Sequence, residues 1–269
     1  MAVVIIQARM NSTRLPNKAL LKIGEQSMLH HVVKQTKASR LVKDVIIATT
    51  NSPKDKKIVN FCIKNNLKYF CGSNNDVLDR YFKCAKKFSC NTIVRISSDC
   101  PFIDPAIIDQ IILKFRKNSF DYVSNNFEKK NKKWENSMCG FPQGMVVEIC
   151  NYKTLEKAWK KAKKPSEREH VFPYVQFNTR SFKVSNLVYK KDLSFIRCTV
   201  DKKEDLKFVR ELWKRIPKTK KIIHIKDILK IVKNEPLLVK INNKINFDDG
   251  YKKSIQKDTK YLKKRSKIN

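Results

Sequence analysis

The chain has little that bends, cross-links or crosses a membrane. Five glycines and nine prolines in 269 residues are too few for a collagen-like or low-complexity chain. With 41% hydrophobic residues, a globular body with a full core is expected. No apolar run approaches the roughly eighteen residues that suggest a spanning helix, so no membrane span is expected. The eight cysteines contain no C-x-x-C pair, and neither they nor the four histidines fall at zinc-ligand spacings. The first residues lack the charged region and small-residue cleavage site of a signal peptide. A cytoplasmic location is therefore expected, where disulfides are disfavoured. Cys62, Cys150 and Cys198 lie in apolar stretches and read as small buried hydrophobes. Acidic residues are scarce as well, 25 against 59 Lys and Arg, giving a net charge of +34. That excess suggests nucleic acid. Yet the lysines are spread through segment after segment among Ile and Asn, without a module signature or a basic stripe interleaved with aromatics. No specific nucleic-acid binding is expected, only weak non-specific binding at low salt.

What is present begins at the N-terminus. The apolar run 3–6 reads as a strand buried on both faces. It empties into a polar loop carrying Arg9, Ser12, Arg14 and Lys18. The loop has neither the spacing of a P-loop nor the G-x-G-x-x-G of a dinucleotide fold. Three cations beside small hydrogen-bonding residues, just past a buried strand, suit a triphosphate, because open α/β sheets bind ligands beyond the carboxyl ends of their strands. On charge alone, a basic surface loop explains these residues equally well.

Buried runs then alternate with helical patterns. Strands are predicted at 3–7, 45–49, 92–96 and 121–124, with a short one near Tyr69. Helices are predicted at 28–38, 53–65, 77–88 and 105–117. This alternation implies a largely parallel sheet covered by helices on both faces. Beyond Asn125, residues 127–137 read as a polar, mobile loop. Further strands are predicted at 145–150, 182–189 and 196–200, and helices at 153–162, 168–177, 202–215 and 225–233. Pro236 marks a transition, dividing the chain into a body (1–235) and a basic C-terminal extension (236–269). Residues 251–269 carry eight Lys and Arg against one Asp, the pattern of a solvated tail or a surface-packed arm.

The order of residues adds more. Ala8-Arg9-Met-Asn-Ser12-Thr-Arg14-Leu-Pro16-Asn-Lys18 resembles the nucleotide-binding signature of the cytidylyltransferases that activate acidic sugars, and in particular their SpsF-type branch. The resemblance recurs at Gly72-Ser73 with Asp76-Val-Leu-Asp-Arg80-Tyr81, and at Arg95-Ile-Ser-Ser-Asp99-Cys-Pro101-Phe-Ile-Asp104-Pro105. It continues at Pro165-Ser-Glu-Arg168-Glu169-His170-Val, Thr199-Val-Asp201-Lys-Lys-Glu204-Asp205-Leu206 and Asn246-Phe-Asp-Asp-Gly250-Tyr251. Six blocks in one order over nearly the whole chain make a specific match.

The resemblance implies a three-layer α/β/α nucleotidyltransferase fold, glycosyltransferase-A-like, with a mostly parallel central sheet. It implies transfer of CMP from CTP to an acidic, ulosonic-type sugar with release of pyrophosphate, for surface-glycan synthesis. Gln7, Ala8, Arg9, Ser12, Arg14, Lys18, Gly72, Ser73, Asp76 and Arg80 would bind the nucleotide, with Arg9, Lys18 and Asp99 catalytic. Asp99 and Asp201 would hold Mg2+, a cation that takes one or two carboxylates plus phosphate oxygens and water. From its spacing, Asp201 could equally cap the following helix; Asp104 before Pro105 reads simply as a cap. On the acceptor side, Gly144, Glu148, Arg168, His170 and Arg197 are the candidates. Arg168 or Arg197 would hold an acceptor carboxylate, and His170 would act as base or serve the structure. Pro142-Gln143-Gly144-Met145-Val146-Val147-Glu148 departs from the usual P-D-G-L-D-V-E at Gln143 and Val146, which leaves the sugar undetermined and suggests, as an alternative, a non-catalytic nucleotide-sugar-binding protein. The oligomeric state, monomer or homodimer, is left open.

Overall fold

The computed structural model describes residues 1–130, 133–247 and 249–265. Its first half runs β1 (Ala2–Gln7), a small hairpin of β2 (Lys22–Ile23) and β3 (Gln26–Ser27), α1 (Met28–Lys37), β4 (Val42–Thr50), α2 (Lys56–Lys64), β5 (Lys68–Gly72), α3 (Val77–Lys87), β6 (Thr92–Ser97), α4 (Pro105–Lys117) and β7 (Tyr122–Ser124). The second half adds β8 (Phe127–Lys130), β9 (Lys133–Asn136), β10 (Glu148–Asn151), α5 (Tyr152–Lys161), α6 (Pro165–His170), α7 (Pro173–Phe177), β11 (Val184–Asn186), α8 (Lys203–Arg215), α9 (Ile225–Asn234) and α10 (Asp249–Arg265).

Seven strands form one sheet in the order β11-β7-β10-β6-β1-β4-β5. Every neighbouring pair is parallel except those of β10, which runs antiparallel to both β6 and β7. β1 shows why the sequence folds this way. Its β-branched side chains alternate between faces, with Val4 and Ile6 in one core cluster and Ile5 in the other. Met28 of α1, Ile58 of α2, Ile107 of α4, Phe208 of α8 and Ile228 of α9 cover the first face. Leu78 of α3, Leu155 of α5 and Val175 of α7 cover the second. This is the α/β architecture expected from the alternation. Asp104 caps α4 through the Ala106 N–H at 2.8 Å, with Pro105 in the first helical position, as its sequence context predicted.

The second half departs from the predicted elements in four places. Among the described residues, the predicted loop 127–137 is an antiparallel hairpin of β8 and β9, with Phe127 paired to Asn136; residues 131 and 132 lie outside the description. The strand predicted at 182–189 is paired only over Val184–Asn186, at the sheet edge. Residues 196–200 are extended but join the sheet through no named strand. They lie against 143–145 by a single bridge, Gln143 to Arg197, with the Gln143 N–H on Ile196 O at 2.9 Å and the Cys198 N–H on Gln143 O at 2.8 Å. The helix predicted at 168–177 is two short ones. Pro173 has no N–H to continue a helix, and Val171 at the break takes φ +73°. The C-terminal segment packs on the body: a 3₁₀ turn, Pro236–Ile241, lies against α8 and α9, and α10 lies along α6 with Ser254 and Asp258 buried. All eight cysteines are free, and Cys62, Cys150 and Cys198 are buried. Among the described residues no helix is long and apolar enough to cross a membrane.

Candidate functional site: two carboxylates closed on a lysine

The loop after β1 folds back on itself. The N–H groups of Ser12 and Asn17 both donate to Met10 O at 3.0 Å, and Asn17 takes the left-handed φ of 58°. The 3₁₀ turn Lys18–Leu20 follows. This turn aims Lys18 across the ends of the strands. Its Nζ donates to Asp99 Oδ2 at 2.6 Å, to Asp201 Oδ1 at 2.9 Å and to Val200 O at 3.2 Å. Asp99 stands in the turn after β6, and the Val200 N–H donates to Asp99 O at 2.9 Å. That backbone bond carries Asp201 alongside Asp99 across a hundred residues of sequence. Arg14 Nη2 reaches Asp201 Oδ1 at 2.7 Å, and Arg197 Nη2 reaches Asp201 Oδ2 at 3.3 Å.

Asp201 is therefore no helix cap. That work falls to Asp205, which is fully buried and accepts the N–H groups of Asp201 and Lys202 at 2.9 Å each. Burial acts to lower the Lys18 pKa, but the two carboxylates outweigh it and raise the pKa above the ordinary lysine value. Burial likewise acts to raise that of Asp201, but Lys18, Arg14 and Arg197 hold it below the usual carboxylate range. Two like charges brought this close need a cation between them, and Lys18 supplies it.

Beside this cluster Arg9 is exposed, and with Ser12, Thr13, Thr50, Asn74 and Asn75 it lines a cavity of about 390 Å³. Ala8 is fixed by its N–H on Ala48 O at 3.1 Å. Gly72 is required by close approach: a Cβ there would lie 2.7 Å from the Phe70 ring and 3.1 Å from Arg80 Cγ. Arg80 is 1% exposed, donates from Nη1 to Ser73 O at 2.8 Å, and has no partner for Nε among the described residues. Asp76 accepts the Asp79 N–H at 2.8 Å as the cap of α3, and its other oxygen takes the guanidinium of Arg168, with Nε at 2.8 Å. The predicted nucleotide-binding residues Gly72, Ser73, Asp76 and Arg80 thus form one connected group, and Arg168 of the predicted acceptor side is tied to it.

The remaining acceptor candidates divide into two groups. Gly144 takes φ +91°, and a Cβ there would meet Thr199 N at 2.4 Å; only glycine lets 143–145 lie on 196–200. Gln143, at the first altered position, accepts from Arg197 Nη1 at 2.7 Å and donates to Ser194 O at 2.8 Å. Arg197 Nε donates to Asp205 Oδ1 at 2.8 Å. Arg197 is buried, stands in the Asp201 cluster, and has acidic partners already. The second group lies on the other side of β6. Glu148, 2% exposed, receives Arg95 Nη1 and the Tyr122 hydroxyl, the latter at 2.8 Å. Arg95 Nε donates to Gln7 Oε1 at 3.2 Å. His170 is close enough to this group to feel its charge: burial first, then the Arg95 charge, push its pKa down to about 4.

Sequence reasoning did not select Arg95, Asp55 or Asp205. Asp55 is buried and accepts the Met10 N–H at 2.7 Å and the Thr50 hydroxyl, anchoring the loop after β1 to the end of β4. Arg95 and Asp205 stood inside quoted motif blocks, and their burial was the missing signal. For Asp55 the sequence offered none beyond a Ser-Pro-x-Asp helix start.

A seven-stranded, mostly parallel sheet with its charged cluster beyond the carboxyl ends of β1 and β6 is the architecture of an α/β nucleotide-binding protein. The chain belongs to the cytidylyltransferase family, which it matches over residues 3–245. It is 37% identical to an uncharacterised protein of Methanocaldococcus jannaschii over 90% of this chain and 94% of that one. It is 28% identical to the spore coat polysaccharide biosynthesis protein SpsF of Bacillus subtilis, over 78% and 85% of the two chains. A solved cytidylyltransferase from Leptospira borgpetersenii superposes with a TM-score of 0.80 at 31% identity, covering 88% of this chain and 96% of that one.

Proposed function

We propose that this chain transfers CMP from CTP to a hydroxyl of an acidic sugar, releasing pyrophosphate, in surface-glycan synthesis. The observation that carries the reading is the Lys18 bridge between Asp99 and Asp201 beside Arg14, at the strand ends where a triphosphate would lie. The acidic-sugar acceptor rests on the resemblance of the motif blocks.

The donor set fits magnesium. One ammonium spans both carboxylates, so their oxygens lie within reach of a single ion. Among the described residues no group of three or more His, Cys, Asp or Glu could form an all-protein cage, which suits a metal held by two carboxylates, phosphate oxygens and water. Asp99 and Asp201 would hold it, and when bound it would supply charge neutralisation on the triphosphate. Lys18 and Arg14, here paired with those carboxylates, are the cations that would take β- and γ-phosphate oxygens, and Arg9 is the exposed third. The acceptor hydroxyl oxygen forms a bond to the α-phosphorus in line as its proton passes to solvent, and the bond to the bridging oxygen breaks, its electron pair leaving on pyrophosphate. Arg9, Arg14 and Lys18 stabilise that charge. His170 is neutral near pH 7 and too weak a base to take the hydroxyl proton outright, so its service is to orient the acceptor.

The test is pyrophosphate release from each of the four ribonucleoside triphosphates against a panel of acidic sugars. Turnover with CTP and one acidic sugar is expected. Release with no pair, or a preference for another nucleotide, would overturn the assignment.

A further inference from the structure

His170 ends α6, and its ring contacts come from the C-terminal helix. Its Nε2 lies 2.9 Å from Ser254 Oγ, and Tyr251 packs edge-on at 5.2 Å between centroids. Ser254 is 1% exposed. Its hydroxyl donates to Glu169 Oε2 at 2.9 Å, with Gly250 O at 3.3 Å as the other acceptor within reach. Lys257 Nζ lies 3.1 Å from the same Glu169 oxygen. Asp258, one helical turn on, accepts both the N–H and the hydroxyl of Ser166, at 2.8 and 2.5 Å, pinning the start of α6.

The direction of these bonds follows from counting protons. A carboxylate and a carbonyl only accept, and the single hydroxyl proton of Ser254 is given to the ionised Glu169, the arrangement in which Ser254, Glu169 and His170 are all satisfied. What Ser254 turns toward His170 is a lone pair, and Nε2 must carry the ring proton. Glu169 stays ionised to receive its bond: burial acts to raise its pKa, but the Ser254 and Lys257 bonds hold it below the usual range. A neutral imidazole protonated on Nε2 has its only acceptor at Nδ1, and among the described residues nothing donates there.

We propose that Ser254 and Glu169 are positioning residues that fix His170 in its Nε2–H tautomer, so that Nδ1 accepts a hydrogen bond from a hydroxyl of the acceptor sugar. The C-terminal helix, basic and solvated in composition, is on this view a working part of the acceptor site. The placement rests on the reading under Proposed function, because it takes the Arg95 side of the sheet as the acceptor side. The chemistry of the partner is that of a neutral polyol hydroxyl. An anionic group would meet the lone pair of Nδ1 with repulsion.

The experiment uses the full chain labelled with ¹⁵N-histidine, whose four residues give few resonances. In the ligand-free protein at pH 7, His170 is expected to show a slowly exchanging Nε2–H. Ser254→Thr should keep it, because the hydroxyl remains, and Ser254→Ala should lose it without global unfolding. With CTP and the acidic sugar that reacts in the panel, Ser254→Ala should raise KM for the sugar by about tenfold, the weight of one hydrogen bond, and leave KM for CTP unchanged; Ser254→Thr should restore it. An Nδ1–H form in the wild type, an unchanged ring N–H in Ser254→Ala, or an unchanged sugar KM would each overturn the proposal. If no sugar reacts, the assigned activity fails, while the ring N–H still decides how His170 is held.

Discussion

The proposed nucleotide side and the proposed acceptor side of this site are built by opposite means. On the nucleotide side, one continuous loop, Arg9 to Lys18, supplies the cations, and they meet two carboxylates in a partly solvated cluster. On the acceptor side, residues from β6, β10, α6 and α10 gather about a buried pair already neutralised, Arg95 with Glu148, and Arg168 is held to Asp76 by a partly exposed pair. The first arrangement could exchange its carboxylates for the proposed triphosphate, because an ammonium between two carboxylates and an ammonium on a phosphate are similar environments. The second cannot exchange partners cheaply, since breaking a buried pair strands a charge. On the proposed reading, the nucleotide side is thus organised by exchangeable charge and the acceptor side by fixed shape.

The largest expected effect breaks the first half of that contrast. Lys18→Ala removes the bridging cation and, on the proposed reading, one electrostatic contact to the departing pyrophosphate. Turnover should fall by about 10²–10³-fold, measured as kcat for pyrophosphate release, while circular dichroism shows a native fold. Wild-type kinetics in a folded variant would remove the loop from the chemistry and leave Lys18 as a structural counter-ion to Asp99 and Asp201.

The same contrast explains what could be read in the sequence. The β-α alternation and the loop motif are local: β-branched runs with polar exits sit within a few residues of one another, and the strand β1 and the cap at Asp104 follow from short stretches, whereas the convergence of Asp99 and Asp201 on Lys18 is long-range and was carried by the resemblance of the motif blocks. The second half was read less well because its order is not local. Residues 196–200 look like a strand by composition, yet they are held by a backbone match to 143–145 that depends on Gly144 and on the Gln143 amide. Pro173 was visible in the sequence, but a period of 3.6 runs through it, and the break at Val171 was missed. Arg168 and Arg197 were expected to be open to an acceptor carboxylate because a sequence does not show which arginines already have partners.

An effect of middle size tests whether shape governs the predicted acceptor stretch 143–145, which lies on the segment leading to Asp201. Gly144→Ala adds one methyl, no charge, at φ +91° and 2.4 Å from Thr199 N. Backbone strain of this kind costs about 1–3 kcal/mol, which for a chain of this size lowers the melting temperature by several degrees. Scanning calorimetry reads it. An unchanged transition would mean that the approach of 143–145 to 196–200 relaxes freely, and that shape is not what fixes this stretch.

The smallest effect sharpens the comparison, because it lies where the two sides join. Arg168 of α6 bridges to Asp76, the cap of α3, and also donates to Trp159 O at 2.8 Å. Asp76 has two roles, one oxygen for the Asp79 N–H and one for Arg168, so its removal costs a cap as well as a pair. A double-mutant cycle with Asp76→Ala and Arg168→Ala separates the two. Both side chains are partly exposed, at 30% and 22%, so solvent screening limits the coupling to about 0.5–1 kcal/mol in urea unfolding. The single Asp76→Ala variant should lose about 1 kcal/mol more for the cap. If the bridge only fastens α6 to α3, the cycle should show that coupling in stability while KM for CTP and for the sugar shift together in Arg168→Ala. A rise in the sugar KM alone, with no coupling in stability, would instead make Arg168 a direct ligand of the acceptor carboxylate, and charge rather than shape would then organise both sides of the site.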